Sequence, residues 1–304
     1  MEKRTVEKLS QFPTFVTRYL EESKLSDRSK EVYIHRLFSV LTYISQISGK
    51  PMKELDMKSI EAAFSIDQYY AKKLADGYSK KTIENEYKTF CSMYNRIAGK
   101  LHYHSMQDLP EDMVEEQYGM TEEEFNKYQI QVMDALRNLI IDDKRFHHRD
   151  ALIILLIYEM GLKVSECVGI NLEDVQDNYI RISRSGIRKI EIPRNVRVEL
   201  NRYMKERREL MNDNSDSPGG APLLTGMHRT RLCNRTIENI IKSAFGKDSE
   251  MTPELLRKVS GIYRYKQTGS IEYVALYLGI NVYSAEKIVG RIKMGDSYFL
   301  PIPS

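Results

Sequence analysis

One segment sets itself apart from the rest of the chain. The stretch "NYIRISRSGIRKIEIP", residues 178–193, alternates apolar and polar residues around Ser185-Gly186 and stops at Pro193, which predicts a β-hairpin. Almost everywhere else the apolar residues recur at helical spacing. A chain with one hairpin among helices must build a mainly α fold with a small antiparallel β-sheet.

The helical segments fall into two groups. In the first, "FPTFVTRYLEES" places Phe12, Phe15, Val16, Tyr19 and Leu20 on one face. "SDRSKEVYIHRLFSVLTYISQIS" opens at a Ser/Asp cap and is stopped by Gly49-Lys50-Pro51. "DMKSIEAAFSIDQYYAKKLADG" and "SKKTIENEYKTFCSMYNRIAG" follow, giving four helices over residues 1–100. Residues 101–118, polar, acidic and interrupted by Pro110, read as a linker. The second module, residues 119–304, opens on a Thr121–Glu124 capping box and contains the apolar stretch "RDALIILLIYEMGLKVSECVGI" and the hairpin. It continues into the basic amphipathic "VRVELNRYMKERRELMN" and further helices.

The formal charge of +3 conceals an uneven distribution: a net +5 over residues 1–100, −7 over residues 101–150 and +5 over the remainder. Two basic blocks flanking an acidic stretch suit modules that touch a polyanion. The longest apolar run, residues 151–158, is too short to span a bilayer, and the N-terminus has no signal-peptide core. A cytoplasmic protein that does not engage membranes is expected. Cys91, Cys167 and Cys233 are widely separated and form no CxxC, so neither a metal, a disulfide framework nor another cofactor is expected.

Four landmarks then occur in order: "GLKVSECVGINLEDV", the hairpin closing in "IEIP", "TPELLRKVSGIYRYKQTGS", and "LYLGI". Together they resemble the tyrosine recombinase (phage integrase) family, whose pattern runs GLRxSEL, a lysine-bearing hairpin, TPHxLRH…G, LGH and a tyrosine about nine residues further on. The first module resembles the family's helical, SAM-like core-binding domain, and the second its α+β catalytic-type domain. The resemblance implies a two-domain clamp around duplex DNA. It also implies strand breakage by a tyrosine, with arginines and histidines holding the phosphate and the hairpin lysine protonating the leaving hydroxyl.

Carried onto this chain, the family positions are Lys163, Ser185, Glu254, Arg257, Ile280 and Val289, and only Arg257 keeps its identity. Lys163 retains charge without the planar fork of arginine. It reads equally as a DNA contact or as a helix-end lysine, with Glu166 as its structural partner. Ser185 offers no cationic proton donor, and the nearby Arg184 and Arg188 are poor acids. Glu254 would repel a phosphate by about 1 kcal/mol at 4 Å in water and roughly 4 kcal/mol at an effective dielectric of 20. At i, i+3 it is expected to neutralise Arg257. Ile280 has no polar atom, and Val289 has no nucleophile.

These departures lead to the expectation of a pseudoenzyme: a DNA-binding, integrase-like protein acting as an accessory or regulatory factor in DNA recombination or integration. Its partners would be double-stranded DNA and either a second copy or a catalytically active recombinase. The expected phosphate contacts are Lys72, Lys73, Lys80 and Lys81 in the first module, and Lys163, Arg184, Arg188, Arg229, Arg231 and Arg257 in the second. Two alternatives stand beside this reading. One is an active site-specific recombinase using a displaced Tyr298. The other is an interaction module that no longer binds DNA.

Overall fold

The computed structural model describes residues 3–107, 109–110, 113, 119–141, 145–183, 188–211, 220–227, 230–246, 248–290 and 292. It divides into two compact units, Met1–Glu116 and Gln117–Ser304. No helix among the described residues is long and apolar enough to cross a membrane.

The first unit is entirely helical, with α1 (Lys3–Leu9), α2 (Thr14–Glu22), α3 (Asp27–Ser48), α4 (Met57–Ala63), α5 (Ile66–Ala75) and α6 (Lys80–Leu101). Side-chain caps start α3, α5 and α6, where Ser26, Ser65 and Ser79 each accept a hydrogen bond from a backbone N–H three residues on. Gly49 ends α3 in the left-handed conformation. The segment expected as one helix through residues 56–77 is broken instead into α4 and α5. Phe64 leaves the helix in an extended conformation, and its ring enters a cluster with Tyr43, Tyr69, Tyr87 and Phe90 at 4.9–6.4 Å between centroids. Packing of one aromatic side chain outweighs the propensity to continue the helix.

The segment expected as an acidic linker also contributes to this unit. Leu109 is buried in its core, and Tyr103, Met106 and Met113 pack against it. Tyr87 Oη donates to the Gln107 carbonyl at 2.7 Å, and Met106 N donates to Asn95 Oδ1 at 2.7 Å. The net acidity of the stretch concealed four apolar anchors.

In the second unit, α7 (Glu122–Ile141) starts with a reciprocal box. Thr121 N donates to Glu124 Oε2 at 2.8 Å, and Glu124 N donates to Thr121 Oγ1 at 3.2 Å. The next helix, α8 (His147–Tyr158), is the axis of the core, with every side chain from Ala151 to Tyr158 buried. Gly161, at φ +62°, ends this apolar run and lets the chain turn into α9 (Val164–Gly169). The hairpin follows, with β1 (Tyr179–Ile182) antiparallel to β2 (Arg188–Glu191) and Ile182 opposite Arg188. Helices α10 (Arg194–Met211), α11 (Asn234–Phe245), α12 (Pro253–Thr268), α13 (Ile271–Leu278) and α14 (Val282–Val289) complete the unit. The result is mainly α with a two-stranded antiparallel sheet, as the sequence pattern predicts.

Lys73 departs from its expected place on the surface. Its ammonium lies 3.2 Å from Glu86 Oε2 and 2.9 Å from Ser39 Oγ, and it is 3.3 Å from the centre of the Tyr78 ring. Both charged side chains are more than nine-tenths buried. Tyr69 Oη donates to the same Glu86 oxygen at 2.5 Å. Removing one member of such a pair leaves an uncompensated buried charge. Glu86→Ala should therefore cost about 3–5 kcal/mol, read from urea denaturation followed by circular dichroism. The exposed Lys80→Ala should stay within about 0.5 kcal/mol. Equal effects of the two would show that the buried pair does not hold this unit.

Candidate functional site

Lys163 at the entry to α9, Arg188 on β2 and Arg257 on α12 come together in the second unit around a buried carboxylate. Glu166 is only 2% exposed, and its Oε2 accepts from Lys163 N and from Arg188 Nη2, both at 2.8 Å. Arg188 reaches this point from the start of β2. Its Nη1 donates at 3.0 Å to the Tyr277 carbonyl at the end of α13, while its Nε is buried with no hydrogen-bond partner among the described residues. Gly279 makes the approach feasible, because a Cβ there would lie 2.7 Å from Arg188 Nη1 and the residue sits at φ +60°.

Arg257, on α12, is turned inward as well. Its Nε donates to the Gly161 carbonyl at 2.8 Å and its Nη2 donates to the Leu278 carbonyl. Burial pulls the Arg257 guanidinium below its ordinary value, and the Glu166 carboxylate opposes that shift. The expected pairing of Arg257 with Glu254 gives way to these two carbonyls. Glu254, 81% exposed, faces Lys258 Nζ instead at 3.8 Å. The N-terminal turn of α12 points the Glu254 side chain to solvent, whereas Arg257, three residues on, lies over the α8–α9 corner.

Beside these groups is a recess of about 420 Å³ lined by Glu254, Arg257 and Ile280 together with Met120, Tyr128 and Ile288. Its far wall comes from the start of the unit. Gly119 lies so close to α14 that a Cβ would meet the Ile288 carbonyl oxygen at 2.7 Å. Sequence reasoning did not assign Gly119, Met120 and Tyr128 to this wall; the glycine just ahead of the capping box was the available signal. Val289 points away from the recess into the main core and is 3% exposed. Among the described residues no group of three or more His, Cys, Asp or Glu side chains is placed to hold a metal ion.

Comparison with known proteins bears directly on this arrangement. The model of the phage integrase family matches residues 126–280, just over half of the chain. The chain belongs to the phage integrase family. It is 29% identical over 152 residues to tyrosine recombinase XerC of Chromobacterium violaceum, an alignment covering 48% of each protein. It is 24% identical over 294 residues to the protein TTE1313 of Caldanaerobacter subterraneus subsp. tengcongensis, assigned by name to the tyrosine recombinases, covering 92% of this chain and 94% of that one. The fold also matches the Tn1549 transposon integrase solved with circular intermediate DNA. That match has a TM-score of 0.65 at 15% identity, over 92% of this chain and 94% of the other.

Within this integrase fold, the remaining candidates distribute unevenly. Lys163 is half-buried, and no ion pair of its ammonium occurs among the described residues. Arg231 donates to the Val168 and Ile170 carbonyls and to Asn171 Oδ1, which makes it a strut for the α9 exit. Lys72 and Lys81 are about half exposed and face Asp76 at 3.7 Å and Glu84 at 2.9 Å, while Lys80 is exposed. Arg184, Ser185, Arg229 and Tyr298 lie outside the described residues. Tyr277, whose carbonyl accepts from Arg188, has its side chain engaged inward. Its hydroxyl contacts Ser260 Oγ at 2.8 Å and the Tyr158 carbonyl at 3.3 Å, and burial pushes it up to about 12.

The burial of residue 289 has a testable consequence. Val289→Tyr should fail to form a covalent adduct with a nicked duplex on a denaturing gel. It should also destabilise the unit by about 1–3 kcal/mol through overpacking. An adduct from this single change would show that position 289 faces the recess.

Proposed function

We propose that this integrase-family chain is catalytically silent and holds duplex DNA through phosphate contacts, acting as an accessory or regulatory factor in recombination or integration. The observation that carries the reading is Val289. The position at which the family resemblance calls for a nucleophilic tyrosine holds an aliphatic side chain buried in the core. Loss of a proton-transferring group alone typically lowers a rate by 10²- to 10⁴-fold, whereas loss of the nucleophile closes the covalent route. The neighbouring positions support the same conclusion. Ile280 offers no hydrogen bond, Glu254 brings negative charge to the rim of the recess, and Arg257 already donates to two backbone carbonyls.

Duplex DNA is the inferred ligand because the Tn1549 transposon integrase, whose fold this chain shares, was solved with circular intermediate DNA. The contacts we assign are Lys72, Lys80 and Lys81 of the first unit and Lys163 of the second, side chains that reach solvent at least in part. Such contacts act by displacing condensed counterions, so affinity depends steeply on salt.

Titration of random-sequence duplex at several salt concentrations tests this directly. The logarithm of the association constant should fall linearly with the logarithm of salt concentration, and Lys80→Ala should reduce the slope by roughly 1. Salt-independent or absent binding would leave the interaction-module reading. A protein–DNA adduct on nicked duplex that disappears in Tyr298→Phe would establish instead an active recombinase with a displaced nucleophile.

A further inference from the structure

The hairpin is too small to position itself. It has two strands of four residues, and an isolated two-stranded ribbon is marginal in water. β1 is anchored by Ile180 and Ile182, which are 0% and 2% exposed. β2 alternates between half-buried and exposed residues and has no fully buried apolar side chain. What holds β2 at its tip-proximal end is Arg188, directly opposite Ile182. Its guanidinium leaves the strand and docks in a socket built from two separate elements: α9, which offers the Glu166 carboxylate, and the end of α13, which offers the Tyr277 carbonyl and the Cβ-free face of its capping Gly279.

We propose that Arg188 is a positioning residue that latches the hairpin to this socket, so that the anion its guanidinium holds is an internal carboxylate rather than a DNA phosphate. A bidentate fork suits a socket offering a carboxylate and a carbonyl at different angles, which a lysine point charge does not reproduce. The side chain of Glu166 is 1% exposed and that of Arg188 is 20% exposed. Water competes poorly for either, so a second anion has little access to the pair. Arg257 ties the same end of α13 to the α8–α9 corner through its bonds to the carbonyls of Leu278 and Gly161. Only the DNA-binding arm of the test rests on the function proposed above; the latch itself stands on the geometry.

Amide hydrogen exchange in the full chain, combined with salt-dependent duplex titration, tests the latch. In Arg188→Met and in Glu166→Gln, exchange of the Tyr179–Ile182 and Arg188–Glu191 amides should accelerate by roughly 100-fold or more, while the α8 amides stay protected. The two effects should not add in the double variant. Arg188→Lys should show a smaller acceleration of the same amides, and it carries the test should Arg188→Met not fold. The salt slope of duplex binding should be unchanged in Arg188→Met. Unchanged hairpin exchange in these variants would overturn the latch, as would a slope shallower by about 1, which marks a phosphate contact. Absence of duplex binding by the wild-type chain would count against the proposed function alone, since the exchange measurements still decide the latch.

Discussion

The second unit depends on one carboxylate kept out of water. Glu166 fixes the start of α9 through Lys163 N and the start of β2 through Arg188, whose other end holds the last turn of α13. Taking a carboxylate from water costs several kcal/mol unless charge and hydrogen bonds replace the lost hydration. Here the replacement comes from a backbone N–H and a guanidinium, both at Oε2, and the three elements that meet there cannot shift independently. The same node explains two glycines. Gly161 and Gly279 both adopt positive φ, and a Cβ at either would collide, with the Tyr277 ring or with the Arg188 guanidinium respectively.

This arrangement makes Arg188 and Arg257 members of a structural joint. A guanidinium that donates to protein carbonyls can still lend its field to a nearby anion, but it supplies fewer directed hydrogen bonds. Arg188, Arg231 and Arg257 all direct donors to backbone carbonyls or buried polar groups. Among the described candidate contacts, positive charge that reaches solvent lies instead on Lys72, Lys80 and Lys81 of the first unit and, in part, on Lys163. Lysines on flexible stems favour contacts that track the phosphate backbone without reading bases.

Much of the fold was legible because its signals are local. Ser26, Ser79 and Thr121 each accept a backbone N–H at the helix start that the sequence marks, and Tyr179–Ile182 pairs antiparallel with Arg188–Glu191 as alternation requires. The four family landmarks carried the architecture. What escaped was set by tertiary partners. Lys73 looks like its neighbour Lys72 in sequence, yet it sits one position round the helix and meets Glu86, a buried carboxylate on another helix. Phe64 ends a helix for the sake of an aromatic cluster whose members are up to 26 residues away in sequence. Glu254 and Arg257 have the spacing of a helical ion pair, but Arg257 finds two carbonyl acceptors from elsewhere in the fold, which no local rule reveals.

The burial of Val289 extends the argument from chemistry to packing. A nucleophile must be presented to its target, so a helix carrying one has to leave that side chain beside an open recess. Once position 289 is aliphatic, α14 is free to turn it into the core, where it joins Ile262 and Ile292 in the main apolar cluster. Gly119 then lets the entry of the unit lie against the last turn of the same helix, closer than any side chain would permit. Both contacts tie α14 to the body of the domain and oppose the movement that would expose residue 289. Restoring the hydroxyl by substitution would thus meet a helix whose packing is built around its absence. The loss of activity that we infer is held in the packing around α14 as well as in the list of missing groups.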